Sequence, residues 1–167
     1  MRTETRTQVK QLRRRLGAAM IPLNTIKALN QIPQPETLRK AIDALNHGRD
    51  IILTSTPSTE TIGKTKQEAK RINISPEELE SIIMTTLAET AESLLDYTLS
   101  GLIITGGATA LAITKKLGIE NIRILDEVQP GVPVIKLDHL TAVTKAGGFG
   151  QADTLIRATQ YLKRRHG

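Results

Sequence analysis

The sequence predicts an α/β fold, a three-layer sandwich built on a mixed, mostly parallel sheet with helices on both faces. Three observations lead there. Short apolar runs alternate with amphipathic stretches of helical period, the pattern of β-α-β units. Two of those runs pass directly into glycine pairs and then into a helix. The last runs stand closer together than a helical crossover allows, so part of the sheet must be antiparallel. The 167 residues, 39% hydrophobic and 24% charged, suit one compact soluble domain with a real core.

The elements follow in order. Residues 1–16 are polar and basic, with Val9, Leu12 and Leu16 at roughly helical spacing. They are expected to form a loosely attached or partner-facing helix. Residues 18–23 read as a short strand that Pro22 places at an edge. Two prolines between Ile32 and Pro35 mark a linker. In residues 36–46, Leu38, Ala41, Ile42 and Leu45 repeat at i, i+3, i+4, i+7, an amphipathic helix that Gly48 stops. The run Asp50-Ile51-Ile52-Leu53-Thr54 is a buried strand. Residues 55–63 read as a Ser/Thr/Pro/Gly loop.

Ser75-Pro76-Glu77-Glu78 has the form of a capping box with proline at the first helical position. It opens a long helix expected to run to about Leu99, with Leu79, Ile83, Leu87, Ala91 and Leu94 on one face. Gly101-Leu102-Ile103-Ile104-Thr105 is a second buried strand. A helix from Ala108 to about Leu117 follows. Residues 122–125 and 132–135 are strands joined by the turn Gln129-Pro130-Gly131. Residues 142–145 form a last short strand, and the final helix spans about Gln151 to Arg164. The division expected from this pass is a basic N-terminal helix, arm and linker over residues 1–34, then an α/β domain over residues 35–167.

The net charge of +6 is unevenly spread. The first fifteen residues carry +5 and residues 163–165 carry +3, which leaves −2 for the stretch between. The basicity therefore belongs to the two ends. With no cysteine, the chain has no disulfide, thiolate metal site or cysteine nucleophile. Three scattered histidines do not make a metal cluster. An aromatic content of 2% removes the stacking platforms of single-strand nucleic-acid binders, which disfavours nucleic acid as a partner. No apolar run reaches the ~18 residues of a membrane span, and no secretory leader is visible, so a cytoplasmic protein without membrane contact is expected.

The chemistry is expected at strand ends, where ligands gather in α/β sheets. The first candidate is Thr105-Gly106-Gly107-Ala108-Thr109, which runs from a strand into a helix N-terminus. Free backbone N–H groups and the helix dipole there suit phosphate, and glycine lets it approach the main chain. The alternative reading is a tight turn that needs glycine for geometry alone. The second candidate is Lys145-Ala146-Gly147-Gly148-Phe149-Gly150, which adds a cation to a second nest of N–H groups. Its alternative is a surface loop. Ser55, at the end of the strand at 50–54, is the third. Together they point to phosphate or nucleotide binding. Gly63-Lys64-Thr65 resembles the end of a phosphate-binding P-loop, but Ser58 stands where that motif has glycine. Asp126, Glu127, Asp138 and Asp153 lie near the expected loops, and spacing chooses none of them as a magnesium ligand.

From about Asp50 to Leu162 the chain resembles the C-terminal nucleotide-binding domain of the four-carbon acid sugar kinases. Four pieces carry the resemblance in order: residues 50–55, the segment Thr105-Gly106-Gly107-Ala108-Thr109-Ala110 against the family's TGGDTA, the turn Glu127-Val128-Gln129-Pro130-Gly131-Val132-Pro133, and the loop at 145–150. The resemblance implies a transferase of carbohydrate metabolism that uses ATP and Mg2+ to phosphorylate a sugar acid. It implies nucleotide contacts at Ser55, Gly106, Gly107, Ala108 and Thr109, at Gly147 or Gly148, and a phosphate-facing Lys145. Ala108 stands where the family has an acidic residue. The family's substrate-binding domain, with its Asp-rich catalytic segment, has no counterpart here.

Three readings follow. The first is the ATP-binding half of a sugar-acid kinase, inactive alone and completed by a separate substrate-binding domain or chain. The second is a non-catalytic nucleotide-binding regulatory module. The third and weakest is a nucleic-acid binder acting through its basic ends. A homodimer is open to each.

Overall fold

A computed structural model describes residues 2–55, 58–138 and 140–166. Seven helices and six strands lie in these residues, in the order α1 (Thr3–Leu16), β1 (Ala19–Pro22), α2 (Thr25–Leu29), α3 (Pro35–Asn46), β2 (Ile51–Thr54), α4 (Thr59–Arg71), α5 (Pro76–Glu92), β3 (Leu102–Thr105), α6 (Gly107–Lys116), β4 (Ile122–Gln129), β5 (Val132–Leu137), β6 (Leu140–Lys145) and α7 (Thr154–His166). This is the expected α/β architecture. No helix among the described residues is long and apolar enough to cross a membrane.

The strands form two sheets. β1 and β2 make a parallel pair. The second sheet has the order β3-β6-β5-β4, with β3 parallel to β6 and the other neighbours antiparallel. The antiparallel part arises where connections are too short for a crossover: Pro130 and Gly131 join β4 to β5, and only two residues of sequence separate β5 from β6. His139 lies outside the described residues.

Helices cover both faces. On one side α1 and α7 supply Val9, Leu12, Leu155 and Ile156, which pack with Ile52 of β2 and Ile103 of β3. On the other, Leu87 and Ala88 of α5 pack with Ile104 and Ile135, while Leu94 joins Ala41 of α3 against Ile51 and Leu53. The capping box forms as expected: Ser75 Oγ accepts from the Glu78 N–H at 3.2 Å, and Glu78 Oε2 accepts from the Ser75 N–H at 2.9 Å.

Three expectations are corrected. α1 is not loosely attached, because Thr5, Gln8, Val9 and Leu12 are buried against the body. Its apolar stripe is short, but two polar side chains extend it by bonding into the fold. α5 stops at Glu92 rather than near Leu99. The N–H groups of Leu94, Leu95 and Tyr97 reach only three residues back, so the chain tightens into turns that swing Leu94 into the core. The expected loop at 55–63 is helical from Thr59, because Ser58 caps α4 by accepting from the Thr61 N–H at 3.1 Å. Thr56 and Pro57 lie outside the described residues.

The two basic ends of the sequence meet, since α1 packs along α7. Arg13, Arg14 and Arg15 stand in the last turn of α1, and Lys163, Arg164 and Arg165 in that of α7. Cations there offset the negative end of each helix dipole. Lys163 also pairs with Asp50 at 2.8 Å.

Candidate functional site

The carboxyl ends of three strands open on one cavity of about 1070 Å³. Its wall holds Ser55 after β2, Gly106, Gly107, Ala108 and Thr109 at the β3–α6 junction, and Gly147 after β6. Loops far apart in sequence therefore converge, as the strand-end rule requires. Lys145 and Gly148 are not part of that wall.

The β3–α6 junction is open. Gly106 is the N-cap of α6, at φ +96°, and no side chain caps the helix. The first helical bond runs from the Ala110 N–H to the Gly106 carbonyl, at 3.0 Å. The N–H groups of Gly107, Ala108 and Thr109 have no backbone partner among the described residues. Three such donors on the positive end of a ten-residue helix suit an anion. Thr109 Oγ1 lies 3.5 Å from Met84 Sδ, which ties the first turn of α6 to α5.

The β6–α7 junction is held differently. Lys145 is buried, and its Nζ donates to Thr5 Oγ1 at 3.1 Å and to the Ala146 carbonyl at 2.9 Å. Burial pushes its ammonium pKa down, partly countered by Glu4. Thr5 Oγ1 in turn donates to the Gly147 carbonyl. Gln8 Nε2 donates to the carbonyls of Phe149 and Gln151, at 3.0 and 2.9 Å. Helix α1 thus grips this loop by three of its carbonyls. In this arrangement Lys145 faces α1 and its own loop. That geometry departs from the phosphate-facing role the resemblance implies.

Two glycines here have packing reasons. Gly150 sits at φ +89°, and a Cβ there would lie 2.6 Å from Thr154 Oγ1. A Cβ on Gly131 would lie 2.8 Å from the Phe149 ring. The β4–β5 turn and the 145–150 loop are therefore one packed unit, joined where Phe149 lies on Gly131.

Of the four cations on the cavity wall, Arg49 bonds to the Gly17 carbonyl and Lys163 pairs with Asp50, which leaves Arg2 and Lys66, neither of which the sequence reading assigned to the site. Neither has an ion pair among the described residues. Lys66 stands one residue past Gly63-Lys64-Thr65, but that tripeptide lies within α4 and forms no phosphate loop. Lys64 pairs with Glu60, and Thr65 bonds to Thr25. Arg2 is 145 residues from Gly147, and no local signal links them.

Carboxylates are scarce at the strand ends. The cavity wall includes Asp50, paired with Lys163, and Glu80, and none stands on the three loops. Asp126 bonds to Tyr161 and Asp153 to Arg157, and no cluster of three metal-ligating residues exists among the described residues. Among the described residues, the side chains around the cavity do not fit a resident magnesium site.

Comparison with known proteins agrees with the fold. The profile of a family described as "Nucleotide-binding C-terminal domain" matches residues 1–155. A D-threonate kinase from Bordetella bronchiseptica is 41% identical over 80 residues, covering 45% of this chain and 20% of the relative. A 3-oxo-tetronate kinase from Cupriavidus necator is 28% identical over 122 residues, covering 71% and 27% respectively. A crystal structure of a domain of unknown function from Bordetella bronchiseptica, a domain-swapped dimer with bound citrate, superposes at a TM-score of 0.69 with 26% identity. It is matched over 96% of this chain and 38% of its own. The chain thus spans 20% and 27% of the length of these two kinase relatives. Profile and fold agree that the chain belongs to the nucleotide-binding C-terminal domain family, and the curated relatives it matches in part include a D-threonate kinase and a 3-oxo-tetronate kinase.

Proposed function

We propose that this chain is the ATP-binding half of a four-carbon acid sugar kinase, acting on a sugar-acid hydroxyl held by a separate substrate-binding domain or chain. One observation carries the reading: Ser55, the uncapped N-terminus of α6 and Gly147 meet at a single cavity. The N–H groups of Gly107, Ala108 and Thr109 hold phosphate oxygens, and Arg2 and Lys66 on the cavity wall neutralise charge. Positioning and charge neutralisation are the main protein contributions to phosphoryl transfer. No carboxylate stands on these loops, so a magnesium ion would have to come with the nucleotide, where it would supply charge neutralisation. The acceptor and its general base belong to the companion, since the three loops carry no carboxylate or histidine to take the proton.

Calorimetry with ATP and ADP tests the binding claim, and absence of binding refutes it. Mixing the chain with a companion substrate domain, ATP, magnesium and D-threonate or a related acid tests the kinase claim. ADP is expected only in the mixture, and ADP formed by this chain alone refutes the split assignment. The second reading, a non-catalytic nucleotide-binding module, is favoured by Ala108 and by the Lys145 bonds to Thr5 and Ala146. Nucleotide binding without turnover in any mixture supports it. A domain-swapped relative makes self-association worth measuring in the same samples by sedimentation.

A further inference from the structure

A second cavity, of about 450 Å³, lies at the carboxyl end of β1, beside Pro22. Helices α2, α3 and α4 each bring one lysine to its wall: Lys27, Lys40 and Lys64. The one carboxylate on that wall, Glu36, is already engaged, since the Arg39 guanidinium donates to both of its oxygens at 2.9 Å. Lys64 pairs with Glu60, which stands off the wall. Lys40 reaches only the engaged Glu36, at 3.5 Å, and Lys27 has no ion pair among the described residues. Cations gathered in one cleft repel each other and focus a positive field into it, and an anion relieves both.

Gln34 stands on the same wall. Its Oε1 accepts from the Asn24 N–H at 2.8 Å, which fixes the amide, because a flip would set donor against donor. Its Nε2 is buried and has no acceptor among the described residues. An amide left in that state carries a free-energy cost that a ligand oxygen removes. Thr37 and Thr61 add hydroxyls, and Ile26, 39% exposed, adds apolar surface. The nucleotide cavity lies next door, with Thr25 on both walls and no cation in common.

We propose that this cavity is a second anion site, distinct from the strand-end nucleotide site, for a small organic acid. Its carboxylate or phosphate oxygens meet Lys27, Lys40 and Gln34, and its carbon skeleton lies on Ile26. The site stands on its own residues and does not require the nucleotide reading.

Calorimetry at fixed ionic strength, with saturating ADP, titrates the whole chain with citrate, D-threonate and inorganic phosphate in turn. Saturable binding of at least one probe is expected. Lys27→Ala with Lys40→Ala is expected to weaken it at least about tenfold and to leave ADP affinity within about twofold. All four side chains chosen for substitution are exposed, so the fold is kept. Lys10→Ala with Lys115→Ala removes the same charge from residues on neither wall and is expected to change probe binding by less than about twofold. Binding of citrate or D-threonate without phosphate assigns the carboxylate class, and the reverse assigns the phosphate class. No saturable binding of any probe overturns the site. Equal weakening by the two double variants also overturns it, as a general effect of net charge. Binding seen only without ADP, and weakened by Arg2→Ala rather than by the Lys27 and Lys40 pair, moves the anion to the strand-end cavity and overturns the proposal. If ADP does not bind, the nucleotide reading falls, and the same titrations without it decide this site.

Discussion

The two strand–glycine–helix junctions are near twins in sequence and opposites in structure. Thr105-Gly106-Gly107 opens on the cavity, with an uncapped helix behind it and three N–H groups unused. Lys145-Ala146-Gly147-Gly148 carries the better-looking phosphate signal, glycines beside a lysine. Yet helix α1 holds that loop through the carbonyls of Gly147, Phe149 and Gln151, and Lys145 is turned to Thr5. A glycine nest binds an anion only where nothing else has claimed its surroundings. The difference lies in which helix packs against each loop, and α1 packs against only one.

The comparison can be broken hardest at Gly150. Its left-handed backbone and the fully buried Thr154 beside it leave no room for a Cβ. Gly150→Ala is expected to cost about 3 kcal/mol or more in denaturant unfolding. Gly107→Ala, with nothing within 4 Å of its Cβ position, is expected to leave stability within about 1 kcal/mol of the parent. Equal losses at both positions would erase the distinction between the held and the open junction. Next comes Gln8→Ala. It removes two hydrogen bonds from a side chain with no exposure and leaves two carbonyls to find water. A loss of about 1–3 kcal/mol is expected in the same measurement.

Charge removal sharpens the comparison on the ligand side. Arg2→Ala and Lys66→Ala are each expected to weaken ATP binding about tenfold, a change of about 1.4 kcal/mol. Lys145→Met is expected to change it less than about threefold and to keep or raise the thermal midpoint, since it replaces a buried cation by an apolar chain. A large affinity loss confined to Lys145→Met would return that lysine to the phosphate and reverse the assignment. Truncations that remove α1 would test the same point less cleanly, because α1 also covers the core.

The smallest effect lies away from both junctions. The Arg39 guanidinium and the nearby Lys40 hold the Glu36 carboxyl at about 2, below its ordinary 4.5. A carboxylate with a depressed pKa in the folded state stabilises above the unfolded value and loses that contribution as pH falls. Glu36→Gln should therefore leave stability near neutrality almost unchanged and flatten its decline between pH about 4.5 and about 2. Because the pair is exposed, salt should shrink the difference. An unchanged acid limb in the variant would remove Glu36 from the account.

Much of the fold was legible because its signals are local. The capping box at Ser75, the aliphatic runs of β2 and β3 and the Pro130-Gly131 turn each depend on a few adjacent residues, and each formed where expected. Helix α4 was hidden because Gly63 and three threonines sit in it, and its buried side, Thr65 and Ala69, carries little apolar signal. The end of α5 was misjudged because Leu94 and Leu95 keep the helical period while the backbone tightens under them. Ser55, the residues 106–109 and Gly147 could be singled out as candidates because they follow strand ends, and the structure brings them to one cavity. Arg2 and Lys66 were not, since each reaches the cavity only through the packing of its helix.

Sequence alone determined the α/β class, the places where strands hand over to glycines, and the kinase-domain kinship, all written in short-range patterns of polarity and turn chemistry. Tertiary structure alone decided which glycine junction is open, where Lys145 points, which cations line the cavity, and that β2 and β3 belong to separate sheets. Those outcomes depend on contacts between residues as far apart as Thr5 and Gly147, and hydrophobic period and turn propensity carry no record of such distances.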